Sequence, residues 1–128
     1  MSSELSILAL YGLLVIVILL VQVLMALPQL GLAYLATARD EGRELTGGAA
    51  RCLRSLDNSI VAMALFAPAI LLLHVQGAFT ETTLMLAQVF LIARAVYWVV
   101  YVAGIPWLRT LVWVAAFLCN AVLYLMAL

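Results

Sequence analysis

Between Leu5 and Leu27 the chain reads LSILALYGLLVIVILLVQVLMAL, an apolar run broken by no charge. As a helix rising 1.5 Å per residue it covers a hydrocarbon core of about 30 Å. The run is too long for a signal-peptide core, follows Glu4 instead of basic residues and meets no small-residue cleavage pattern, so it is expected to persist as a membrane span. The rest of the chain has the same character. Of 128 residues, 69% are hydrophobic and 9% charged, whereas a soluble domain carries about a quarter charged residues. A water-soluble globule is excluded. Six arginines balance six acids and lysine is absent, so there is no basic stripe for a nucleic acid.

Three further spans follow. Together the four are expected at about 5–36, 50–75, 82–104 and 107–127, in one membrane domain covering 1–128. After Pro28 the apolar sequence continues, predicting a kinked first helix that emerges near Arg39. The loop RDEGRELTGGAA then carries the Gly47-Gly48 break. Pro68 is expected to bend the second span, and Gly104 and Pro106 to end the third. Because lipid leaves backbone groups no outside partner and no alternating strand pattern is present, the expected fold class is an all-α integral membrane protein, an up-down-up-down bundle of four transmembrane helices.

Arg39, Arg43, Arg51 and Arg54 lie in or beside the first connection and Arg109 beside the third, which makes both connections cytoplasmic and places both termini on the opposite side. Cys52 and Cys119 form no C-x-x-C pair and are expected as buried small residues. His74 has no neighbouring ligand, so no metal site is expected.

An ionisable group within the bilayer needs a partner or a purpose. Arg94, near the middle of the third span, is such a group. Positions 94, 97 and 101 share a helical face, aligning a guanidinium with the hydroxyls of Tyr97 and Tyr101. A second polar stripe, Arg51, Arg54, Asp57 and Asn58, begins the second span at comparable depth. Two readings fit this spacing. In one, the stripes form a cationic pocket for a small anion, whose carboxylates match the planar arginine fork. In the other, Arg51 and Arg54 snorkel to lipid headgroups and Arg94 is bonded to Asp57 or to backbone carbonyls.

Two segments carry a family resemblance. RCLRSLDN at 51–58 is similar to the pattern Arg-x-x-x-Asn-x-x-Glu, and RAVYWVVYVAGIPWLR at 94–109 to Arg-x-x-[His/Tyr]-x-x-x-Tyr followed by Pro and Arg. Both patterns belong to the MAPEG family, the membrane-associated proteins of eicosanoid and glutathione metabolism, and the chain most resembles its short bacterial branch. The resemblance implies a homotrimer in a bacterial inner membrane, with glutathione as cosubstrate between protomers and a lipophilic electrophile arriving from the bilayer. It places Arg51, Arg54, Asn58, Arg94, Tyr97 and Tyr101 at the glutathione-binding site. It gives Arg109 the catalytic task of supporting the thiolate, which a nearby cation favours.

The sequence departs from the pattern at Val61, where the family has the acid that pairs with the third-helix arginine. Asp57, one turn away, is the expected substitute in an ion pair with Arg94. Trp113 stands where some members have a tyrosine. The alternative reading is a non-catalytic structural or accessory subunit of a larger membrane complex. A four-helix exporter fits less well, because the first span offers only Gln22 where proton coupling needs a carboxylate.

Overall fold

A computed structural model describes residues 3–38 and 42–128. Arg39, counted above in the charge of the first connection, lies outside the described residues. The helices are α1 (Glu4–Leu30), α2 (Leu32–Leu35), α3 (Gly47–Gln76), α4 (Glu81–Ala103) and α5 (Pro106–Met126), and no strand occurs among the described residues. Four of them are long and apolar enough to cross a membrane. Even α5, with 21 residues, reaches about 30 Å.

Local chemistry sets the helix ends. Ser3 caps α1, its hydroxyl accepting from the Ser6 N–H at 3.1 Å. Thr80 and Thr83 form a reciprocal capping box at the start of α4, which satisfies N–H groups that lipid could not. Pro106 occupies the first turn of α5, where its missing N–H removes no helical bond.

The expected kinked continuation of the first span is corrected by Gly31. Pro28 lies within α1, and the helix ends two residues later, at Leu30. Gly31 then takes φ +83° and ψ 148°, and only the four-residue α2 follows. A single proline removes one helical hydrogen bond, but a residue at positive φ ends the helical path altogether. Gln29 ties this end of α1 to the start of α3: its amide donates to the Thr46 carbonyl at 3.1 Å and accepts from the Thr46 N–H at 2.9 Å.

α3 and α4 form the middle of the bundle. Each packs on α1 and on α5, while the backbones of α1 and α5 stay further apart. The core centres on three rings. Phe66 stacks on Phe90 at 4.0 Å between centroids, and Tyr11 meets Phe90 edge-on at 4.9 Å. All three are fully buried. The Tyr11 hydroxyl donates to the Ser59 carbonyl at 2.8 Å, so a polar bond crosses from α1 to α3 inside the core. Large apolar side chains such as Val75, Leu111 and Leu125 are exposed on the outer faces, as expected for helices solvated by lipid.

Phe66→Ala is expected to lower stability by about 3–5 kcal/mol, measured by denaturation in detergent. A loss near zero would show that the ring cluster does not hold the bundle together.

Candidate functional site

Arg94 sits nine residues before the end of α4 at Ala103, a depth of about 14 Å along the helix. Its side chain is only 1% exposed. Nη2 donates to the Ser59 hydroxyl at 3.2 Å, and the guanidinium lies over the Tyr97 ring with its carbon 4.3 Å from the centroid. Ser59 in turn donates to the Ser55 carbonyl at 2.7 Å, which fixes the hydroxyl with a lone pair toward the arginine. Cation–π attraction is strongest where the charge is desolvated, as it is here. Among the described residues no carboxylate pairs with Arg94, and its Nε is buried without a hydrogen-bond partner.

The expected Asp57–Arg94 ion pair is therefore not formed within the protomer. Helical phase is the reason. Asp57 precedes Ser59 by two residues, about 200° around α3 at 3.6 residues per turn. Ser55 and Ser59 occupy the buried face, and Asp57 lies on the exposed one.

At the end of the bundle where α4 finishes and α3 and α5 begin, cations and phenols alternate. Tyr97 and Tyr101 lie 5.4 Å apart between centroids, and Arg109 stands over the Tyr101 ring at 4.7 Å. Arg54 donates from Nε to the Tyr101 hydroxyl at 3.3 Å. Arg51 donates from Nε to the Val102 carbonyl at 3.0 Å, satisfying an acceptor in the last turn of α4. Gly104 beside it takes φ +81°, which favours glycine, while a Cβ there would meet Arg51 Nε only at an ordinary contact distance of 3.6 Å.

Two concavities open on this face. A groove of about 240 Å³ is lined by Tyr97, Tyr101, Arg109, Thr110 and Trp113. A smaller pocket of about 80 Å³ lies deeper, between α3, α4 and α5, with Asn58, Val61, Arg94, Trp113 and Asn120 in its wall. Trp113 borders both. A third groove, about 390 Å³, runs beside Gln22, Arg43, Glu44 and Arg54.

Of the residues singled out in the sequence, Arg54, Tyr101 and Arg109 are thus joined around one ring, and Arg94, Tyr97 and Asn58 lie further in. Arg51 faces the end of α4, and Asp57 stands apart from the cluster. Sequence reasoning missed Ser59 and Asn120. An asparagine inside an uncharged span was the available signal for Asn120, since a buried amide needs a partner.

Four membrane-length helices define a polytopic membrane protein, with a cationic, phenol-lined cleft among α3, α4 and α5. The chain matches the model of the MAPEG family over residues 6–128 and belongs to that family. Compared with curated proteins and with solved structures, it matches none.

Removing the Ser59 hydroxyl leaves Arg94 without its serine acceptor. Ser59→Ala is expected to cost about 1–3 kcal/mol, whereas Asp57→Asn is expected to change protomer stability by less than about 0.5 kcal/mol. Paired melting curves in detergent check this, and the reverse order would restore Asp57 as the arginine's partner.

Proposed function

We propose that the protein binds glutathione as cosubstrate and acts on lipophilic electrophiles, in a transferase or peroxidase type of reaction. The observation that carries this reading is the set of three arginine and tyrosine side chains that meet at Tyr101: Arg109 over the ring and Arg54 on the hydroxyl. Glutathione carries two carboxylates, and arginine forks bind carboxylates in two-pronged fashion. Thr110 adds a hydroxyl to the same groove. Arg109, half-buried beside that groove, supplies the cation that favours a thiolate over a thiol, and the thiolate is the nucleophile. The electrophile would enter from the bilayer, past apolar outer faces.

The functional unit we propose is a homotrimer in a bacterial inner membrane, each chain forming one membrane domain, with the first and third connections cytoplasmic. Two features support an oligomer. The groove of about 240 Å³ falls short of the roughly 300–1,000 Å³ of complete small-molecule sites, so a neighbouring chain would close it. The exposed face of α3 also carries Asp57 next to the exposed Ile60 and Val61, and a carboxylate is costly against lipid. The trimer number comes from the family. Arg51, Arg54 and Arg109 lie toward one end of the bundle, and the charge rule supports a cytoplasmic position for that end.

One observation favours a second reading, an accessory subunit of a larger membrane complex: Val61 lines the inner pocket where the family pattern has an acid. Isothermal titration of the protein in detergent with glutathione separates the two. Saturable heat is expected, reduced about tenfold or more in affinity by Arg54→Ala. Absence of saturable heat would favour the accessory role.

A further inference from the structure

α3 packs on three helices along one side and is open along the other. Asp57, Ala64, Pro68 and Val75 follow one another at helical spacing, so they fall on one line down the open side, and all four are exposed. Ile60, Val61 and Leu71 flank the line and are exposed as well. From Asp57 to Val75 the stripe runs about 27 Å. Arg54 and Asp57 carry its only charges, both toward the end of the bundle that holds the cleft.

Charge indicates what covers this stripe. Asp57 makes no hydrogen bond or ion pair among the described residues. It stands about 15 Å along α3 from Gly47, and its short side chain cannot snorkel outward as an arginine can. A carboxylate at that depth needs a cation. Arg54 offers one on the same open side. Its Nε donates to the Tyr101 hydroxyl, and its two terminal nitrogens have no partner among the described residues. Within one chain the two side chains form no ion pair, and a cation placed before an acid along a helix is the less favourable order.

A second copy meets the need. Copies of one chain insert with the same orientation, so a cyclic assembly about the bilayer normal holds every copy at one depth, and a residue of one chain meets a different residue of the next. Arg54 and Asp57 differ in depth by only about 4.5 Å, a step that the long arginine side chain spans. Arginine has five N–H donors, so a bond to Tyr101 and a fork on a carboxylate still leave donors for a ligand.

We infer that the open face of α3 is a seam between copies of this chain, in which Asp57 of each copy forms an ion pair with Arg54 of the next. The inference rests on the oligomer of the proposed functional unit, and neither on its number of chains nor on glutathione. It deepens that reading by naming the residues that join the copies. The seam also brings a neighbour's carboxylate to the cluster at Tyr101.

The mass of the protein in detergent, measured by light scattering over a range of protein concentrations, tests the seam. The wild type is expected to be oligomeric. Asp57→Arg and Arg54→Asp each set like charges against one another at every junction, and each is expected to weaken association by about tenfold or more. Glu81→Arg, which reverses an exposed charge at the far end of the bundle, is expected to leave association unchanged. Differently tagged chains, one with Asp57→Arg and the other with Arg54→Asp, are expected to co-purify with each other more than either does with itself. An ion pair confined to one chain gives no such preference. An oligomeric wild type whose association both reversals leave intact, or the absence of preferential mixing, would overturn this inference and leave the oligomer standing. A wild type that stays monomeric at every concentration would overturn both, leaving Asp57 to a cation from some other partner. If a reversal variant fails to fold, Arg54→Cys and Asp57→Cys in differently tagged chains decide, because Cys52 and Cys119 are buried. A short bismaleimide is expected to join the two tags, and no joined product would overturn the seam. Glutathione enters none of these measurements, so a failure of the glutathione reading does not touch them.

Discussion

A guanidinium held about 14 Å inside a bundle of apolar helices is the constraint around which this structure is arranged. Insertion scales assign an arginine at mid-membrane about 2.5–3.5 kcal/mol, a cost the protein must offset with contacts. Arg94 finds the Ser59 hydroxyl on α3 and the Tyr97 ring one turn along its own helix. The charge thus fastens the two central helices together. Ser59 is a junction because it serves two neighbours at once, its hydroxyl accepting from Arg94 and its carbonyl accepting from Tyr11 on α1. Three helices meet at one residue.

From that junction the polar groups extend outward along α4. Tyr97 lies against Tyr101, and Tyr101 receives Arg109 from α5 and Arg54 from α3. The cleft accordingly has a polar gradient, with hydroxyls and cations at its open end and three unpaired polar atoms at its floor. Its rigidity follows from the elements that carry it, since each side chain projects from a helix packed on at least two others. At the opposite end of the bundle, Thr83 donates to a buried Glu4 at 3.1 Å, close to the start of α4, where an acidic group is favourable to the helix dipole. That contact fixes the first turn of α1 against α4 far from the cleft.

Much of the fold was legible in the sequence because hydrocarbon leaves few choices. Long runs poor in charge had to be helices, and most of the arginines had to sit near helix ends, with Arg94 the exception. The end of the first helix was less legible: Pro28 is the conspicuous breaker, yet the backbone turns at Gly31, whose positive φ no periodicity signals. The site was legible where residues share a helix, as with Arg94, Tyr97 and Tyr101. It was not where partners come from different helices. Asp57 was the natural acid for Arg94 by charge and depth, but rotation about α3 puts the neutral Ser59 there instead. Asn120 was hidden for a related reason. An amide in an uncharged span signals a need for a partner, but only packing shows that the neighbours are Arg94 and Asn58.

The coupling between Arg94 and Ser59 tests this account most directly, through a double-mutant cycle of Arg94→Met and Ser59→Ala on stability in detergent. The account predicts a coupling energy of about 1–3 kcal/mol, because the second substitution loses little once the first has removed the interaction. Additive effects would contradict it, leaving the buried arginine to be stabilised by something other than the helix before it.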